Sequence, residues 1–286
     1  MRIEELKEYT KKLGFNVNTI CLDYPSKDTI IVGNDILTNV HSCAKTITAL
    51  AFGFLMQESS ISIEYKVISF FPEYKEIASK GTDKIRIKHL MNMSSGKSLK
   101  SLLQRCNNDL YENDWLYWFF ETPIQFYPGK SFYYSSHCCY VLGRIIEKIS
   151  KKKVNDYLDE KLWRKLKIQK PIWSDCPKGH TNCAGNLWLK CSDLAKIGNL
   201  LLQKGIYKNT QLLHASYIEL MINKTVNSND PFIWNDTECS YEYGFFIWKC
   251  SRPNTYRIWG AGANFCIIDY AKKWFCLLPL TEMTIG

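Results

Sequence analysis

The chain has 286 residues, 46% hydrophobic and 23% charged, with a formal net charge of +9. This is an ordinary globular composition, enough for one large domain or two lobes sharing a cleft, and it excludes a disordered or fibrous chain. The positive charge is mostly Lys spread along the chain, so no nucleic-acid partner is expected. The densest patch, 161–170, carries Leu162, Trp163, Leu166 and Ile168 at helical spacing and reads as an amphipathic helix with a wet basic face.

Residues 1–12 are charged throughout and lack the apolar segment of a secretory signal, and no apolar run reaches membrane-spanning length. Twelve cysteines with no Cys-x-x-Cys pair therefore predict free thiols in a reducing, cytoplasmic setting, with no membrane partner. Cys176, Cys183 and Cys191 are too widely spaced for a usual zinc knuckle, so no metal site is expected.

In chain order, Ile3, Leu6, Tyr9 and Leu13 share a stripe and predict a helix over 2–13. Short strands follow at 18–22 and 29–32 around a turn at 24–28. The apolar run 46–56, behind His41-Ser42-Cys43-Ala44-Lys45, is about three turns long and apolar nearly all round, so this helix should be buried. Residues 61–90 read as loop and short helix, and 89–96 as a short helix ending in a turn. The stretch 111–134 holds Tyr111, Trp115, Trp118, Phe126, Phe132 and Tyr134 among its aromatics, and reads either as plain core or as the wall of an apolar substrate pocket. Helices are predicted over 136–150 and 154–166, a Gly-containing loop over 181–190, and a helix from an N-cap at Ser192 through Leu202, stopped by Gly205. A short helix covers 215–223. The pattern then changes to strands at 243–250, 256–259, 265–269 and 274–280, which suggests an antiparallel sheet.

Ser42 and Lys45 share a helix face, Ser42 at the first turn where unpaired backbone N–H groups favour developing negative charge. An ammonium moved toward apolar surroundings gives up its proton more readily, which makes the pair an activated-nucleophile arrangement. The plainer alternative is an N-cap serine beside a lysine whose stem is buried and whose head reaches water. Ser-x-x-Lys also occurs at Ser94/Lys97, in a turn, and at Ser150/Lys153, on a lysine-rich helix end; only the first pair leads into a buried helix.

The order of several stretches resembles the serine β-lactamase and penicillin-binding protein superfamily, particularly its class C β-lactamase-like branch with esterases and D-amino-acid peptidases. They are Ser42-Cys43-Ala44-Lys45, then His89-Leu90-Met91-Asn92-Met93-Ser94-Ser95-Gly96, and then Tyr127-Pro128-Gly129 running on to Tyr134-Ser135-Ser136. Ala184-Gly185-Asn186-Leu187-Trp188 and Trp259-Gly260-Ala261-Gly262-Ala263 complete the order. The resemblance covers about residues 30–280. It implies an α/β (α+β) fold of the β-lactamase/transpeptidase type. An antiparallel sheet lobe (1–40 and 241–286) is flanked by helices and joined to a mostly helical lobe (41–240).

It further implies a serine hydrolase with Ser42 as the acylated nucleophile, Lys45 as the amine that takes its proton, and Tyr134 as the proton relay to the leaving group. The oxyanion hole falls to the backbone N–H groups of Ser42 and Ala263, the latter on a strand facing the nucleophile, and substrate contacts to Ser136, Trp259, Gly260 and Gly262. No metal or organic cofactor is called for, and the partner is a small ester, amide or peptide-like substrate. Two departures stand out. The family's Tyr-x-Asn is Tyr134-Ser135-Ser136, and its Lys-Thr-Gly is Gly260-Ala261-Gly262, without the cation and hydroxyl that recognise a substrate carboxylate. That points toward the esterase-like members. The alternatives are a true β-lactamase or D-alanyl-D-alanine carboxypeptidase, and a non-catalytic ligand-binding member of the fold.

Overall fold

A computed structural model describes residues 5, 8, 11–12, 19–23, 30–98, 114–228, 241–262, 264–271 and 274–278. Residues 5, 8, 11 and 12 are helical, while the apolar stripe expected for that helix lies outside the described residues. In chain order the strands are β1 (Thr19–Asp23), β2 (Ile30–Gly33), β3 (Thr38–Asn39), β4 (Trp188–Leu189), β5 (Ile206–Tyr207), β6 (Thr210–Gln211), β7 (Val226–Asn227), β8 (Glu242–Tyr243), β9 (Trp248–Lys249), β10 (Thr255–Gly260), β11 (Asn264–Asp269) and β12 (Trp274–Leu278). The helices are α1 (Cys43–Glu58), α2 (Ile87–Met91), α3 (Trp115–Glu121), α4 (Ser136–Ser150), α5 (Val154–Leu158), α6 (Cys191–Leu202) and α7 (Ala215–Asn223).

One eight-stranded antiparallel sheet has the order β2-β1-β12-β11-β10-β9-β8-β7. The last strand sits between β11 and β1, with Cys21 opposite Leu277, so the two ends of the sequence meet in one layer. Helix α6 packs on β12, β1 and β11, and α1 lies against β10 on one side and α4 and α5 on another. Both α6 and β7 fall within 41–240, so that stretch contributes to the sheet layer as well as to the helices.

The apolar sequence of α1 has the consequence expected of it: every residue from Cys43 to Leu55 is buried. A helix with no wet face is fixed by its neighbours on all sides, which makes it a rigid base for whatever stands at its first turn.

Three local expectations are corrected. The strand expected over 243–250 is two short strands, β8 and β9. Gly244 N–H bonds the Ile247 carbonyl at 2.8 Å and Phe246 has φ 53°, so the chain turns where alternation alone suggested it ran straight. The helix expected over 154–166 is α-helical only in α5 and then widens into a π turn over Asp159–Trp163, which still buries Leu162 and Trp163. Ser192 does not cap α6. It lies inside the first turn, and its N–H and hydroxyl both donate to the Asp35 carboxylate at 3.1 and 2.6 Å, so the acidic group at this N-terminus comes from a distant loop. Gly205 ends the helix as expected, with φ +86° and its N–H on the Leu200 carbonyl at 2.7 Å.

The turn at Ser94-Ser95-Gly96 also differs from expectation in one respect: Lys97 is only 1% exposed. Its Nζ donates to Ser79 Oγ at 3.0 Å and to the carbonyls of Phe120 and Thr122 at 3.1 and 2.6 Å, the oxygens at the C-terminal end of α3. Burial lowers this amine from 10.5 to about 7. Between those values the unfolded chain holds a proton that the folded chain has released, so stability rises with pH across that window and levels off below it. Urea unfolding between pH 7 and 9 should show a gain of up to about 1.4 kcal/mol per pH unit that is absent in Lys97→Met.

Candidate active site

The chain enters α1 along β3, whose Thr38 and Asn39 pair with Leu189 and Trp188 of β4. Val40 N–H bonds the Leu187 carbonyl at 2.8 Å, and His41 N–H bonds Asn39 Oδ1 at 2.9 Å. His41 then takes φ 46°, a left-handed conformation that reverses the chain just before Ser42. Ser42 occupies the N-cap position, yet its side chain makes no cap bond.

The hydroxyl is engaged elsewhere. Lys45 Nζ donates to Ser42 Oγ at 2.9 Å and to the Ala184 carbonyl at 2.6 Å, and lies over the Tyr134 ring, 5.1 Å from its centroid. Lys45 is 1% exposed. The plainer reading of the pair, a capping serine and a lysine reaching for water, therefore fails on both counts. Among the described residues Lys45 has no carboxylate partner; its acceptors are a hydroxyl and a carbonyl. His41 is held below its ordinary imidazole range by burial and by the Lys45 charge. Cys43, fully buried inside the motif, has its thiol pushed up to about 12, so it packs and does not attack.

Ala184 is presented by a tight loop. Asn182 Oδ1 accepts from the N–H groups of Ala184 and Gly185, both at 3.1 Å, and the Cys183 carbonyl is held by Thr48 Oγ1 at 2.8 Å and Cys139 Sγ at 3.0 Å. This loop is the Ala184-Gly185-Asn186 stretch singled out above. Its place was legible in sequence, but its role as a carbonyl on the lysine was not, because a backbone acceptor leaves no residue-type signal.

Tyr134 arrives on an extended segment tied to the Ser94-Ser95-Gly96 turn. Gly129 N–H bonds the Ser94 carbonyl and Tyr133 N–H the Met93 carbonyl, each at 2.8 Å. Ser135 caps α4 by position, and Ser136 opens that helix, half-buried, two residues past Tyr134. The aromatic stretch divides between its two readings. Trp115, Trp118, Phe119 and Phe120 of α3 are core, whereas Phe132 and Tyr134 face the sheet. Tyr111 lies outside the described residues. Tyr134 stacks on Trp248 with centroids 5.8 Å apart and planes 20° apart, and meets Tyr243 edge-on at 6.2 Å. Sequence reasoning did not place Trp248 or Tyr243 at the site.

The third element closes the site from the sheet. Gly260 pairs with Asn264, and Ala261 and Gly262 lie in the turn between β10 and β11, where Gly262 supplies φ +70°. Ala263 lies outside the described residues. Gly260 itself packs against the entry to α1. A Cβ there would stand 2.2 Å from the Val40 carbonyl oxygen and 3.1 Å from the amide nitrogens of Ser42 and Cys43. Asn264 binds the same junction, its Nδ2 donating to the Ala261 carbonyl at 2.7 Å and the Asn39 carbonyl at 3.4 Å. Trp259 is half-buried beside this contact.

The site thus joins a buried amine, a hydroxyl at a helix N-terminus, a tyrosine ring and a sheet-edge backbone, the parts of an acyl-transfer centre. The chain belongs to the Beta-lactamase family, whose model matches residues 26–278. A Salmonella typhi protein provisionally named a D-alanyl-D-alanine carboxypeptidase is 25% identical over 181 residues, which are 60% of this chain and 40% of that protein. The matched stretch thus spans about two-fifths of the curated relative's length.

Among solved structures, a Bacillus anthracis protein provisionally named a 6-aminohexanoate-dimer hydrolase superposes with a TM-score of 0.78 at 18% identity. The match covers 98% of this chain and 76% of that one. The D-amino acid amidase of Ochrobactrum anthropi SV3, solved with L-phenylalanine amide, gives 0.73 at 15% identity, covering 97% and 90%. Penicillin-binding protein structures share the fold, one from Bacillus halodurans with a TM-score of 0.69 at 14% identity, covering 98% of this chain and 95% of that one. The β-lactamase/transpeptidase-like architecture and membership of the Beta-lactamase family are thereby established. Among the described residues no helix is long and apolar enough to cross a membrane.

Proposed function

We propose that the chain is a serine hydrolase acting on small esters or amides through an acyl-enzyme on Ser42. The observation that carries this is the pair of bonds from the buried Lys45 Nζ, one to Ser42 Oγ at 2.9 Å and one to the Ala184 carbonyl at 2.6 Å. For Lys45 to take the hydroxyl proton this 2.9 Å bond reverses, Ser42 Oγ donating to the amine while an N–H keeps the Ala184 carbonyl. Ser42 Oγ adds to the substrate carbonyl carbon while its proton passes to the Lys45 amine. On the family resemblance the tetrahedral oxyanion falls to the backbone N–H groups of Ser42 and Ala263, each donor worth about 10²–10³ in rate. Collapse expels the leaving group, which gains a proton through Tyr134, and water then repeats the sequence on the ester. Ser136, Trp259, Gly260 and Gly262 border the substrate.

The name of the Ochrobactrum amidase supports an amide or ester substrate, and the names of the Salmonella proteins keep a D-alanyl-D-alanine carboxypeptidase open as the second reading. Against the second stands the missing Lys-Thr-Gly cation and hydroxyl. Treatment with a fluorophosphonate followed by peptide mass spectrometry should place the adduct on Ser42; an unmodified Ser42 peptide overturns the proposal and favours a non-catalytic binding protein. Durable labelling by fluorescent penicillin moves the reading to the penicillin-binding proteins. Tyr134→Phe should lower kcat for a poor leaving group, such as an anilide, by about 10²–10⁴, and less for p-nitrophenyl esters, whose phenolate leaves unassisted.

A further inference from the structure

The wall opposite Lys45 bears on what the acyl group must be. Arg257, Trp259, Trp248 and Phe265 project from one sheet face, since Arg257 pairs with Trp248 and Trp259 with Phe265 across adjacent strands. The Arg257 guanidinium carbon lies 5.4 Å from the Trp259 ring centroid and 5.9 Å from those of Trp248 and Phe265. Arg257 is 5% exposed. The cation nearest in sequence to the position of the lost Lys-Thr-Gly is therefore buried among rings. Trp259 and Phe265 stack with planes 4° apart, Trp259 meets Trp248 at 5.7 Å, and Trp248 stacks on Tyr134. The result is a chain of ring contacts from the Lys45 amine to Trp259, next to Gly260, where an added Cβ would stand 3.1 Å from the Ser42 amide nitrogen.

With Arg257 buried among rings, a substrate carboxylate would have to move rings and give up its own hydration to reach it, whereas the half-buried Trp259 and Phe265 offer ring surface to a neutral flat group. Resting on the serine hydrolase reading above, we propose that the site selects acyl groups that are uncharged and aromatic. Trp259 is the specificity-determining residue, and Arg257 is a positioning residue that holds the Trp259 indole by cation–π contact.

The test is kcat/KM for the p-nitrophenyl esters of acetate, phenylacetate and hemisuccinate. The wild type should favour phenylacetate over acetate by about tenfold or more and rank hemisuccinate last. Trp259→Ala should bring the phenylacetate-to-acetate ratio to within about threefold, and Trp259→Phe should keep most of it. Arg257→Met should lower the same ratio and leave the acetate-to-hemisuccinate ratio unchanged, a result that loss of a carboxylate-binding cation would not give. Fluorophosphonate labelling of Ser42 reports that each variant is folded, with Trp259→Leu in reserve for Ala. Turnover with hemisuccinate preferred, selective loss of hemisuccinate in Arg257→Met, or an unchanged ratio in Trp259→Ala each overturns this proposal alone. Absence of both turnover and Ser42 labelling in the wild type overturns the hydrolase reading and this one with it.

Discussion

Replacing Ser42 by Ala is expected to lower kcat/KM for short p-nitrophenyl esters by about four to six orders of magnitude, while the unfolding midpoint moves by no more than about 2 °C. The two halves of this result have separate causes. The hydroxyl makes no helix-cap bond, so α1 loses no capping energy with it. Lys45 keeps its bond to the Ala184 carbonyl at 2.6 Å, so the buried amine is not left without an acceptor. On the proposed mechanism the chemistry, by contrast, loses its nucleophile. Lys45→Met should approach the same residual rate, and the double variant should be no slower than Ser42→Ala alone, because the two groups act as one unit. Ester kinetics with burst analysis and a thermal melt on the three variants check all of this. An Ala variant that still turns over esters at a tenth of the wild-type rate, or that no longer folds, contradicts it.

Gly260→Ala is expected to produce the second largest effect, and through the backbone. The added methyl would meet the Val40 carbonyl oxygen at 2.2 Å, with two amide nitrogens at 3.1 Å, and none of these is the far end of a flexible side chain. Strand β10 and the loop before α1 must separate by about 1 Å to admit it. The cost in stability should be about 1–3 kcal/mol, as in other overpacked interiors. Because the same shift moves the Ser42 amide away from the sheet edge, kcat should fall by about 10²–10³, the value of one oxyanion donor. Urea unfolding gives the first number and ester kinetics the second. A stability loss with kcat retained would show that the sheet edge does not serve the oxyanion.

These two residues also mark how far the sequence could be read. The Ser42–Lys45 pair was legible because helical periodicity fixes which side chains share a face, and an apolar run of three turns can only be buried. The five ordered motifs carried the fold. What could not be read was whatever depends on backbone direction or on distant rings. The Ala184 carbonyl has no side chain to announce it. The 243–250 segment hides a tight turn at Gly244 that strand alternation does not reveal. Arg257 stood in the sequence as a cation of unknown direction, and only its pairing opposite Trp248 shows that it is enclosed by rings.

The place of β12 has a consequence for how the molecule is made. Strand β1 leaves the ribosome well before its neighbour, residues 274–278. While the residues between them are made, the β1–β2 hairpin has an unsatisfied edge, and the layer beneath α6 stays open. Closure over so long a separation is slow and leaves a sticky intermediate in the meantime. Yield in a cell should therefore depend on what shields that early hairpin until the last strand arrives, more than on the strength of any contact in the finished protein.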